Sequence, residues 1–201
     1  MARFSKILIL ILLLAVPTLL GAQTPLRPSP AVTVADMVID EAMKYIGIPY
    51  RWGGKSPKGF DCAGFTRYIY NKFGLELAPS AAPQYKAGSI LKNDQIKKGD
   101  LVFYAGRSGS KAIGHVGIVT SVSDGGFYFI HSATSTGITV SHSSEPYYKK
   151  RYVGACRVVD RIVSNLPAND STKANIPVYR QFLFGDTHSL DPQIPFLVKG
   201  W

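Results

Sequence analysis

The sequence predicts an α+β domain whose N-terminal helices pack on an antiparallel β-sheet. Apolar residues between positions 33 and 86 recur at helical spacing. From residue 99 they fall instead into short strand-like runs, and two of those runs are joined by Ser123-Asp124-Gly125-Gly126, a strong hairpin signal.

The first helix is expected to start near Thr33, which has capping-box spacing with Asp36. Val34, Val38, Ala42, Tyr45 and Ile46 give it one apolar face, and Gly47 and Pro49 stop it. A loop containing Gly53, Gly54 and Gly59 follows. Asp61 is the expected cap of a second helix from Cys62 to Phe73, with Phe65, Ile69 and Phe73 on one face and Gly74 at its end. Ser80 is placed as the cap of a short third helix through Lys86. The strands are expected at Leu101 to Tyr104, His115 to Val122, Phe127 to Ala133, Ile138 to His142 and Tyr152 to Val159.

The flanks read differently. Arg3 and Lys6 precede an apolar run from Ile7 to Val16, Pro17 breaks it, and Leu20-Gly21-Ala22 offers small residues for cleavage. That order marks residues 1–22 as a secretory signal peptide. A membrane anchor is the competing reading, but the run is short for a span. Residues 23–32, with Pro25, Pro28 and Pro30, form an extended lead-in; residues 33–160 form the domain; residues 161–201 form an extension of unread fold. The mature chain is therefore expected outside the cytoplasm, in the periplasm, envelope or medium, with no stable membrane insertion.

Composition narrows the classes. The chain has 201 residues, 46% hydrophobic and 18% charged, which excludes a wholly disordered chain. Two cysteines cannot build a disulfide scaffold or a four-thiolate zinc site. The net charge is +10 and falls to +8 without Arg3 and Lys6. Positive charge suits an anionic envelope polymer. Nucleic acid is not expected, because no basic helix, zinc pattern or aromatic-basic stripe accompanies the charge.

The chemistry is expected at three residues. Cys62 falls in the first turn of a helix, where unpaired N–H groups and the helix dipole lower a thiol pKa. Its sulfur is expected to be ionised. His115 and His131 sit on adjacent strands at odd positions, hence on one face. A three-residue loop at Asp124 pairs Gly117 with His131 and sets His115 on the diagonal, about 7–8 Å away. A thiolate can attack an amide carbonyl, one imidazole can protonate the leaving amine and then activate water, and a second group can fix that ring's tautomer. Cys62, His115 and His131 take these roles. The backbone N–H of Cys62 and the Tyr50 hydroxyl are candidate oxyanion donors. Zinc held by Cys62, His115, His131 and His142 is the rival reading, weakened by the lack of any close ligand pair; neither metal nor cofactor is expected. Cys156 reads as a buried free thiol and His188 as a surface residue.

Five ordered segments carry a resemblance. Pro49-Tyr50-Arg51-Trp52-Gly53-Gly54, Phe60-Asp61-Cys62-Ala63-Gly64-Phe65, Lys98-Gly99-Asp100-Leu101-Val102, Gly114-His115-Val116-Gly117-Ile118 and Ile130-His131-Ser132-Ala133 together resemble the NlpC-type cell-wall cysteine peptidases. The segment from Glu145 to Tyr152 is similar to the Spr-like murein endopeptidases of that group. The resemblance covers about residues 36–160. It implies a papain-like core with Cys62 as nucleophile, His115 as base, His131 as orienting residue and Tyr50 as oxyanion aid. It also implies that Asp61, with Tyr50 and Trp52, contacts substrate. Ala63 departs from the family's usual Ser. The implied substrate is a peptidoglycan stem peptide, cut between γ-D-glutamyl and a diamino acid or at the D-Ala–diaminopimelate cross-link. Two other readings stay open: a thiol-dependent transferase passing the acyl group to an amine, and a non-catalytic envelope-binding protein.

Overall fold

Residues 33–106 and 110–165 are described in the computed structural model. The signal peptide, the lead-in up to residue 32, His188 and the tail beyond residue 165 lie outside them. Thr33 caps helix α1 (Val34–Met43): its hydroxyl accepts from the Asp36 N–H, and the Asp36 carboxylate accepts from the Thr33 N–H. The helix ends at Met43, so Tyr45 is buried from the following turn while Ile46 is 51% exposed and leaves the expected apolar face. A small hairpin, β1 (Lys55–Ser56) with β2 (Gly59–Phe60), folds the glycine loop back on itself. Helix α2 (Cys62–Asn71) follows, capped by Asp61. Helix α3 (Ala81–Tyr85) starts after Ser80, whose side chain makes no capping bond.

The sheet holds β3 (Ser89–Leu91), β4 (Leu101–Ala105), β5 (Ile113–Ser123), β6 (Gly126–Ala133), β7 (Gly137–His142) and β8 (Tyr152–Arg157). Their order is β3-β8-β4-β5-β6-β7, antiparallel throughout. Besides the β1–β2 hairpin and a short 3-10 turn at Asn93–Gln95, the sequence did not reveal β3, helix α4 (Pro146–Arg151) or helix α5 (Val159–Asn165). Helix α5 crosses residue 160 and buries Ile162 in the core, so the packed domain continues past the boundary expected there.

Strand alternation divides the interior. Leu101, Phe103, Val116, Ile118 and Ile130 face the helices and meet Phe60, Phe65, Ile69 and Tyr70. Val102, Tyr104, Val119 and Phe129 face the other way, under Tyr148 of α4 and Tyr152. Burying such side chains fully stabilises by about 1.5–3 kcal/mol each. Among the described residues no helix is long and apolar enough to cross a membrane.

One buried charge pair locks the entry to β4. Asp100 is fully buried, and its carboxylate accepts Nε and Nη2 of Arg157 at 2.8 Å each and the Lys97 N–H at 2.7 Å. The pair ties the turn before β4 to the end of β8. Asp100→Ala removes two charge-assisted hydrogen bonds from the partly exposed Arg157, so it should cost about 1.5–3 kcal/mol in denaturant unfolding. A loss below about 1 kcal/mol would show that the pair is dispensable.

Candidate active site

The first turn of α2 is built to approach the sheet. Asp61 accepts the Gly64 N–H at 2.6 Å, and its own N–H donates to the Gly54 carbonyl at 2.9 Å. A Cβ on Gly64 would collide with that same carbonyl, so only glycine lets the loop and helix touch. Cys62 thereby reaches β5: its Sγ lies 3.9 Å from the Gly114 carbonyl oxygen, and the Val116 N–H also points to the sulfur. Gly114 and Val116 flank His115, so the thiol sits against the backbone that carries the ring.

The two imidazoles meet directly. His115 Nε2 and His131 Nδ1 are 2.9 Å apart, and the rings are edge-on at 85°. The shared face expected from alternation is present, and the rings are closer than the diagonal spacing suggested. The hairpin differs in detail. It turns on two residues, with Ser123 paired to Gly126, and an irregularity between Val119 and Ser121 then shifts the register. The shift restores the pairing Ile118–Ile130, which sets Gly117 opposite His131. A Cβ on Gly117 would lie 2.7 Å from Phe129 Cδ2 and 3.1 Å from His131 Cβ, so a side chain there would push His131 out of place.

His131 is fully buried, and its Nε2 lies 3.2 Å from Ser141 Oγ and 3.1 Å from Tyr148 Oη. Its ring stacks on Phe129 with centroids 4.8 Å apart. Ser141 and Tyr148 went unrecognised in the sequence. Ser141 lies in a serine-rich strand end without distinguishing pattern. Tyr148 belongs to the segment Pro146-Tyr147-Tyr148, where proline at the first helical position was the available signal.

Burial governs the electrostatics. It pulls His115 down to about 4, and pulls His131, which also faces His115, to about 3. It pushes the Cys62 thiol up, with a further push from Asp61, while the N–H groups of Val116, Ala63 and Cys62 offset part of the rise. The expected lowering of the thiol is therefore not what the structure supports: desolvation outweighs the helix terminus, which favours a thiol beside a neutral imidazole at rest.

The remaining candidates fall as follows. Tyr50 is half-buried and bridges to Phe60. Burial pushes its hydroxyl up, with smaller pushes from the ionised forms of Cys62 and Asp61. Trp52 is 90% exposed on the same loop. Ala63 is buried. Both cysteines are free; Cys156 is buried, and burial with the charge of Asp100 pushes its thiol up to about 12. His142 stands apart, with Nδ1 2.6 Å from Ser144 Oγ and Nε2 3.3 Å from Ser123 Oγ. Among the described residues no three His, Cys, Asp or Glu side chains are grouped to hold a metal ion.

The chain belongs to the NlpC/P60 family, whose profile matches residues 47–157. It is 39% identical over 132 residues to the murein DD-endopeptidase MepS/murein LD-carboxypeptidase of Escherichia coli K12, covering 65% of this chain and 66% of that one. It is 34% identical to a γ-D-glutamyl-L-lysine dipeptidyl-peptidase of Bacillus cereus over 65% of this chain and 37% of that one. The crystal structure of an NlpC/P60 family protein from Bacillus cereus superposes with a TM-score of 0.57 at 34% identity, over 66% of this chain and 41% of that one. The chain thus spans less than two thirds of the length of these relatives. The α+β, papain-like core expected from the sequence is the architecture it shares with that structure.

A neutral resting pair has a direct signature. In a Cys156→Ser background, alkylation of Cys62 by iodoacetamide should stay slow from pH 5 to 8 and rise only as the thiol ionises above its usual range. Rapid alkylation near pH 6 would instead show a standing thiolate–imidazolium pair.

Proposed function

We propose that this NlpC/P60 chain is an exported cysteine endopeptidase that hydrolyses amide bonds in peptidoglycan stem peptides. One observation carries the reading: a thiol at a helix start rests against the strand that bears His115, and His115 is held at 2.9 Å by a second, buried imidazole. Nothing in packing alone requires that set.

Cys62 Sγ attacks the scissile carbonyl while His115 takes its proton. Because His115 Nε2 is engaged by His131, Nδ1 is the ring nitrogen free to act. The tetrahedral oxyanion is held by the Cys62 N–H and the Tyr50 hydroxyl, whose raised pKa keeps it a donor at every physiological pH. His115 returns the proton to the leaving amine, then activates water to release the acyl-enzyme. His131 keeps the His115 ring in place. Asp61 has one carboxylate oxygen committed to its cap, which leaves the other to meet substrate, and Trp52, exposed on the glycine loop, offers an aromatic face to it.

The bond lies in the peptide, at γ-D-glutamyl–diamino acid or at the D-Ala–diaminopimelate cross-link. The names of the two relatives support one each, and the same residues serve both. The signal-like leader and positive charge fit delivery to an anionic wall.

Digestion of purified muropeptides, with mass spectrometry of the new termini, tests the reading and assigns the bond. Cys62→Ala should abolish cleavage. His131→Ala should lower kcat about 10²-fold or more, and Tyr50→Phe about 10²-fold. Undiminished turnover by Cys62→Ala would end the proposal, and zinc-restored activity after chelation would favour the metal reading. Acyl transfer to an added amine in place of hydrolysis would make the chain a transferase.

A further inference from the structure

A second recognition element lies on the far side of the histidine pair. A cleft of about 390 Å³ opens there, lined by Tyr104, His115, His131, Tyr147, Tyr148 and Arg151. Its volume is in the range of small-ligand sites. Among the described residues, two buried side-chain polar atoms lack any hydrogen-bond partner: Tyr104 Oη and Arg151 Nε. Both residues line this one cleft. Tyr104 is 1% exposed, so its hydroxyl cannot turn to bulk water. An unpaired buried donor is costly, and such groups are normally satisfied.

The arrangement of Arg151 defines the missing partner. Its guanidinium lies over the Tyr147 ring, 3.8 Å from the centroid, and its Nη1 donates to the Tyr147 carbonyl at 3.4 Å. That leaves the edge formed by Nε and Nη2, which matches the two oxygens of a carboxylate. The stacking on Tyr147 holds the plane of the fork. Glu145 also lines the cleft and contributes negative charge. That negative charge leaves the bidentate fork of Arg151 as the attraction for an anion and disfavours a doubly charged phosphate.

We propose that this cleft is a specificity subsite that binds a free carboxylate of the stem peptide through Arg151 and Tyr104. The identity of that ligand rests on the peptidase reading; the carboxylate chemistry rests on the cleft itself. Because His115 and His131 form its wall, a carboxylate held there fixes the peptide next to the reacting groups. Amidation of that carboxylate removes one oxygen and the charge, so the subsite distinguishes amidated from free-acid wall peptides.

The test separates binding from cleavage. In a Cys62→Ala background, stem peptides are titrated by calorimetry as the free acid and with each carboxylate amidated in turn. Arg151→Gln should weaken free-acid binding about 10- to 100-fold. Tyr104→Phe, which removes only an unpartnered hydroxyl and spares the ring packing, should weaken it less. One amidated peptide should bind weakly to the parent and be insensitive to both substitutions, and it identifies the carboxylate. Equal losses for the free acid and every amidated form, or no loss in either variant, would overturn the subsite. If the enzyme with Cys62 intact cleaves no muropeptide, the peptidase reading fails on its own. Acetate titration followed by NMR shifts at Tyr104 and the two histidines then decides the cleft, and shifts unaffected by Arg151→Gln would overturn it.

Discussion

The site depends on one steric constraint, the close approach of the α2 N-terminus to β5. A thiol at a helix start and a strand that carries an imidazole can lie this close only if nothing bulky separates them. Gly64 against the Gly54 carbonyl seats the helix start on the glycine loop, and the Asp61 cap fixes the turn that presents Cys62 to β5. The remainder of α2 is anchored deeper. Phe65 packs edge-on to Phe60 with centroids 5.5 Å apart. Thr66 donates to Gln84 of α3 at 2.7 Å, and Gln84 Nε2 donates to the Ala63 carbonyl at 3.0 Å. Gln84 is fully buried, so this polar contact orients the helix rather than merely filling space.

Much of this was legible in the chain because local chemistry and global fold agree. The Thr33 and Asp61 caps, the face carried by Phe65 and Ile69, and the strand pattern around both histidines each reflect a rule with a short reach. What escaped has a longer reach or a weaker local pattern. Strand β3 has only three residues, two of them exposed, and it gains its identity by pairing with β8. Helix α4 has no buried residue of its own, so no apolar period marked it. The hairpin reached the expected register by a different route, a tighter turn plus an irregularity near Thr120. The sequence pattern constrains which faces are buried more strongly than how the chain turns between strands.

The charge state of the thiol shows the limit of reading one element alone. A helix start favours a thiolate, and the N–H groups of Val116, Ala63 and Cys62 do pull the thiol downward. Yet the same close approach that makes the site strips part of the water from the sulfur and sets it next to the Asp61 charge. The dipole effect is typically 0.3–1 kcal/mol, and it falls off within a turn. Desolvation of a mostly enclosed thiol is larger, so it decides the sign.

The composition of the relay follows the same logic. In many triads a carboxylate backs the imidazole and holds the imidazolium that forms. Behind His115 stands another neutral ring, and behind that the hydroxyls of Ser141 and Tyr148. None of these supplies a negative charge, which agrees with both rings being held well below the usual histidine value. Such a relay fixes a tautomer rather than storing charge. For His115 Nδ1 to accept a proton, His115 Nε2 must donate to His131 Nδ1, and His131 Nε2 must then donate to Ser141 or Tyr148. If either hydroxyl donated instead, the order of hydrogens would reverse and Nδ1 would already be occupied. In the proposed reaction, the proton taken from Cys62 is thus poorly held on His115. That makes the imidazolium a strong acid at the moment the amine departs, which is when an amide bond most needs one.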